Sequence, residues 1–169
     1  MNILEGQNYI KNKEFGKALA FFLKLQKIDL NNVIIFFYLG LIHFELNKFK
    51  ESIFYYNKFL KKKPQSEAGL LNLAIAKQSI GQSDSAKELY RKIININKLN
   101  VRAYYGLYML DSKFLKDDLF TNLYEISNGE KLNFYQKGII DFLFSKKAKI
   151  NNENKKEIEY LKSSHKNIF

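Results

Sequence analysis

The sequence predicts an all-α chain, built as an array of antiparallel helix pairs. Three observations predict it. Across 169 residues there is one proline, Pro64, and there are eight glycines, so helices meet few breakers and a turn-rich β sandwich lacks its punctuation. Apolar residues recur at spacings of three and four, the mark of a helix with one buried stripe. The same pattern then returns at a constant interval over the first two thirds of the chain, as from Phe36 to Leu70 to Tyr104. With 46% hydrophobic and 15% aromatic residues the composition is that of a globular protein.

The first unit, residues 1–32, places Gly6, Tyr9, Phe15, Ala18, Phe22 and Leu25 on this period. The second, 33–66, opens with Phe36-x-x-Leu39-Gly40-x-x-His43 and continues with Phe49, Ser52, Ile53, Tyr56, Phe59 and Leu60. In the third, 67–100, Leu70-x-x-Leu73-Ala74-x-x-Lys77 is followed by Ser83, Ala86, Tyr90 and Ile93. Each unit therefore reads as two amphipathic helices. Gly40, Ala74, Ser52 and Ala86 are small where paired helices must approach. Asn47 and Gly81 fall between the helices, where those residue types accept a left-handed backbone cheaply. Ser83-Asp84 suits a helix start and Lys61-Lys62-Lys63 a helix end.

In the fourth unit, 101–130, the pattern begins as Tyr104-x-x-Leu107-Tyr108-x-x-Asp111, and Phe114 to Ile126 is expected to form its second helix through Leu119, Phe120, Leu123 and Tyr124. Residues 131–169 are expected to hold a degenerate pair. Leu132 to Phe144 forms its first helix, with Phe134, Ile139, Ile140, Phe142 and Leu143 apolar and Gly138 arriving early; 153–164 forms a polar cap, and the last few residues fray. Helices of about 14 residues are marginal alone, so each pair must stack on the next.

The large residue followed by Leu-Gly, the aromatic at Tyr56 and the closing Pro64 give this chain a pattern that resembles the tetratricopeptide repeat (TPR) over residues 1 to about 112. Phe36 stands in the Trp place, and His43 and Ser52 replace Tyr and Ala. The resemblance implies a right-handed superhelical α-solenoid whose concave face is lined by the first helix of each pair. Carried over residue by residue, that face would comprise Ile34, Phe37, Leu41 and Phe44, then Leu71, Asn72 and Ile75, then Arg102, Tyr105 and Met109. It is mostly apolar, with Asn72 and Arg102 available to hold a ligand backbone or an acidic group. Of the Lys, Asn and Arg places by which some family members clamp a C-terminal carboxylate, only Asn72 and Arg102 match, which argues against a chaperone-tail clamp.

Other chemistry is poorly represented. There is no cysteine, so disulfides, thiol catalysis and Cys-ligated zinc are excluded. A metal role for His43 lacks partners, since the second histidine, His165, lies in the tail. Asp111, Asp117 and Asp118 read as solvated acids flanking a turn rather than an acid/base pair. No glycine-rich phosphate loop occurs. We therefore expect no enzyme activity, no cofactor and no metal. The chain begins without a basic-then-apolar leader and has no 18-residue apolar run, and it is expected in the cytoplasm without a membrane span.

The net charge of +11 attracts polyanions, but only Arg91 and Arg102 are arginines, and bidentate phosphate recognition favours arginine. The lysines Lys58, Lys61, Lys62 and Lys63, and Lys87 with Arg91 and Lys92, would lie on second helices as a solvated convex surface. The expected function is a scaffold that binds a partly apolar peptide or helix of a partner protein in the concave groove. A secretion-chaperone-like role is a narrower variant, and a basic nucleic-acid-associated protein is the alternative from another class. Self-association, or the chain's own terminal helix, would be other ways to cover the groove.

Overall fold

The computed structural model describes residues 2–116, 118–129 and 132–168. They form helices throughout, with no strand among the described residues. The order is α1 (Ile3–Lys11), α2 (Phe15–Ile28), α3 (Val33–Glu45), α4 (Phe49–Lys62), α5 (Glu67–Ser79), α6 (Ser83–Ile96), α7 (Val101–Leu110), a 3-10 turn (Ser112–Lys116), α8 (Asp118–Gly129), α9 (Phe134–Ile150) and α10 (Asn154–Ile168). The chain divides into two compact units, Met1–Leu89 and Tyr90–Phe169, with the boundary inside α6.

Local chemistry sets the helix ends. Asn2 accepts from the Leu4 backbone N–H, Ser66 from Gly69 and Asn100 from Ala103, each meeting a donor that the first turn leaves unpaired. Asn133 and Gln136 form a reciprocal capping box at the start of α9. The turns inside the pairs repeat one geometry. Lys13, Asn47 and Gly81 have φ of 59°, 58° and 77°, and they hold the same place in three successive repeats. At each, the next residue's N–H reaches back past one helical turn: Glu14 to the Tyr9 carbonyl, Lys48 to His43 and Gln82 to Lys77. This is the six-to-one bond of a left-handed helix cap. Asn152 and Glu153 repeat it between α9 and α10.

The fourth pair departs from this, and the expected helix from Phe114 to Ile126 is corrected. Leu115 occupies the position one repeat after Gly81, and left-handed backbone is costly for such a side chain. The chain makes a 3-10 turn there instead and buries Phe114 and Leu115; α8 begins only at Asp118. The fifth pair is also longer than expected. The helix expected to end at Phe144 runs to Ile150, and the expected cap 153–164 is a full helix whose Ile168 packs onto Gly138 rather than fraying.

In the first unit the core runs through Ala18, Phe21, Phe22, Leu25, Ile35, Leu39 and Ile42, and the Phe22 ring stacks on Tyr38 with centroids 4.9 Å apart. Small residues let the aromatic rings in. A Cβ on Gly6 would stand 2.6 Å from the Phe22 ring, and Gly40 bears the same relation to Tyr56, the equivalent pair of the next repeat. α3 is apolar on nearly every side because α2, α4 and α5 all pack against it. In the second unit Tyr104, Phe114, Phe120, Phe144 and Tyr160 form a continuous chain of ring contacts.

Candidate functional site

The candidate surface of the first unit is carried by α3 and α5. The buried stripe sets how α3 is turned: its core side chains at 35, 39 and 42 leave 34, 37, 41 and 44 on its flanks. Ile34 is 38% exposed, while Phe37, Leu41 and Phe44 are half-buried. Their surroundings differ. The Phe37 ring is wedged against Tyr56 and Phe59 of α4, at 5.9 and 5.2 Å between centroids, and Phe44 rests on Phe49 at 5.3 Å. On α5, Ile75 is half-buried, but Leu71 is only 8% exposed and belongs to the packing. Burial raises the pKa of the Tyr56 hydroxyl, and the half-buried Asn72 side chain opposes that shift. The Gln7 side-chain amide donates to the Tyr38 hydroxyl, joining α1 to α3.

The second unit holds the other three residues. Met109 is 54% exposed. Tyr105 sits 5.8 Å from the Phe142 ring of α9, and the Arg102 guanidinium lies 5.4 Å from the Tyr135 ring centroid while its Nε donates to the Tyr135 hydroxyl at 3.3 Å. α9 thus engages two of the three. Tyr105 also lines a cavity of about 660 Å³ whose remaining walls come from α9 and α10. The repeat pattern does not mark this cavity. The available signal is Ile158, Leu161, His165 and Ile168, a helical stripe inside a stretch that reads as polar.

Candidate chemical groups are dispersed. His43 is buried, its ring stacked on Tyr55 at 5.2 Å, and burial lowers its pKa. Asp111 caps the end of α7 and its carboxylate accepts from the Lys113 N–H, Asp118 opens α8, and Asp117 lies outside the described residues. Among the described residues no group of three His, Cys, Asp or Glu side chains is placed to hold a metal ion. No helix among them is long and apolar enough to cross a membrane.

Helix pairs at a fixed period, a ring seated on a small residue and a recurring left-handed turn agree with the comparison to known proteins. Family models described as Tetratricopeptide repeat match residues 33–66 and 68–97. The chain belongs to the tetratricopeptide-repeat family. A TPR repeat-containing protein of Methanocaldococcus jannaschii is 31% identical over 146 residues, covering 77% of this chain and 25% of that protein. A protein O-mannosyl-transferase of Homo sapiens is 28% identical over 120 residues, or 69% of this chain and 13% of that protein. The chain thus spans a quarter or less of the length of these relatives. Among solved structures, MamA superposes with a TM-score of 0.71 at 21% identity, over 99% of this chain and 95% of its own. YrrB, described as a TPR protein with an unusual peptide-binding site, superposes with a TM-score of 0.68 at 14% identity over 96% and 82%. At these identities the structures share the fold of this TPR chain. Family membership supports a general role in protein–protein interaction.

Proposed function

We propose that the chain is a non-catalytic binding module that holds a partly apolar peptide or helix against the first helices of its TPR pairs. The observation that carries this reading is the row of apolar side chains left partly exposed along α3 and α5, namely Ile34, Phe37, Leu41, Phe44 and Ile75. A peptide laying three large side chains on this row would gain about 1.5–3 kcal/mol from each, before the cost of association, which supports roughly micromolar binding. Phe37 and Phe44 are held by ring contacts, so little side-chain freedom is lost when a ligand arrives.

Leu71 supports this surface from beneath, and Asn72 presents a half-buried amide beside it. In the second unit Tyr105 and Met109 offer apolar contact and Arg102 a positive charge beside Tyr135. The test is pull-down from the cognate cell extract with the full chain and with Ile34→Glu and Leu41→Glu. Both sites are partly exposed, so the variants are expected to stay folded while partner capture falls. Unchanged capture by both would reject the reading.

A further inference from the structure

The cavity in the second unit differs in kind from the α3–α5 peptide surface, although its wall residue Tyr105 is also one of the proposed peptide contacts. Its volume, about 660 Å³, is in the roughly 300–1,000 Å³ range of small-molecule sites and exceeds what one peptide side chain fills. The walls are the rings of Tyr105, Tyr135 and Phe142 with Ile139, Leu161 and Ile168. Polar capacity in the lining comes down to the Tyr105 and Tyr135 hydroxyls and the His165 imidazole, because the Ser164 hydroxyl already donates to the Gly138 carbonyl at 2.8 Å. A heteroaromatic or sugar-like ligand, which needs several directed hydrogen bonds, is poorly served by such a lining. A flexible hydrocarbon is well served.

Basic groups predominate around the cavity. Among the described residues no acidic side chain lines it, and its one titratable basic group is His165. Two further cations stand over wall rings: the Arg102 guanidinium at Tyr135, and Lys146 Nζ at 4.7 Å from the centroid of Phe142. Neither is ion-paired among the described residues. The nearby buried Asp141 is outside the lining and accepts a 2.6 Å hydrogen bond from Ser163. Tyr135 and Phe142 are two helical turns apart, so a single anion reaches one of the two cations. Arg102 Nε is taken by its bond to the Tyr135 hydroxyl, whereas the Lys146 ammonium has no hydrogen-bond partner among the described residues.

We propose that this cavity binds a medium-chain fatty acid, with the acyl chain between α9 and α10 and the carboxylate at Lys146. Lys146 is half-buried and its ammonium stands over the ring of a wall residue, so an acid group whose chain lies along Phe142 can meet it while the chain is buried.

Calorimetric titration of the full chain with decanoate and with 1-decanol, both below micelle-forming concentrations, tests it. Decanoate should bind saturably at one site and more tightly than 1-decanol. Lys146→Gln should weaken decanoate about fivefold to tenfold, as one partly exposed charge contact implies, and leave 1-decanol unchanged. Leu161→Glu, at a partly exposed wall position, should abolish binding of both with an unaltered helical spectrum. The proposal is overturned by absence of saturable binding, by equal affinity for the alcohol, or by a Lys146→Gln protein that binds decanoate normally. It is likewise overturned if the chain dimerises through this face and decanoate does not compete.

Discussion

The Tyr56 ring lies so close over Gly40 that a Cβ on the glycine would stand 2.8 Å from two of its ring carbons. This contact sets how closely α3 and α4 approach, so any side chain at 40 forces the ring or the helix aside. Gly40→Val should lower the unfolding free energy by about 1–3 kcal/mol. Gly16, also helical, has nothing within 4 Å, and Gly16→Ala should raise it by roughly 0.5–1 kcal/mol. Urea unfolding followed by circular dichroism separates the two.

Ser52 is fully buried with its hydroxyl unpartnered among the described residues, while alanine occupies the equivalent places one repeat to either side, Ala18 and Ala86. An unsatisfied buried hydroxyl costs about 1–3 kcal/mol. Ser52→Ala should therefore stabilise the chain by about 1 kcal/mol, measured as a higher urea midpoint at unchanged slope.

Gly81 has φ of 77° and open space around its α-carbon, so a Cβ there meets only its own backbone. Gly81→Ala should cost about 1–2 kcal/mol through the left-handed conformation alone. Gly81→Asn should cost less, because Asn47 holds the same conformation one repeat earlier.

His43 titrates below its ordinary 6.5, chiefly because burial disfavours the imidazolium, with Lys48 adding to the shift and Glu51 opposing it. Its Nδ1 has no hydrogen-bond partner among the described residues. The unfolded chain therefore takes up the proton first as pH falls. Stability contributed by neutral His43 is complete above about pH 6.5 and is lost as pH drops from there toward the lowered folded value. His43→Tyr should flatten this part of the pH profile, before carboxylate protonation begins near pH 4–5. Thermal midpoints of both proteins between pH 7.5 and 5 test it.

The sequence made the helix pairs legible because their period is set by the buried positions. Positions 18, 52 and 86 must be small and positions 22, 56 and 90 aromatic, and each set recurs without an insertion. The left-handed turns were legible at Asn47 and Gly81, whose residue types favour them, and not at Lys13, where the six-to-one bond between Glu14 and Tyr9 imposes the conformation on a residue that does not. The fourth turn was illegible because Phe114 and Leu115 fit a helical stripe as well as they fit a buried 3-10 turn. For the candidate surface, repeat position identified partly exposed residues at Ile34, Leu41 and Ile75. It did not reveal that Leu71 is packed or that Tyr135 of α9 meets Arg102, since these depend on neighbouring helices. α10 was masked by its polar majority, although its sparse apolar stripe builds one wall of the cavity.

Selection of a random displayed-peptide library on the full chain, followed by fluorescence anisotropy of the enriched peptides, addresses binding by the α3–α5 face most directly. The account predicts enriched sequences with apolar residues at helical or alternating spacing. It also predicts roughly micromolar dissociation constants and at least a tenfold loss in the Ile34→Glu, Leu41→Glu double variant at unchanged urea midpoint. Failure to enrich any such peptide, or equal affinity for the double variant, would contradict it.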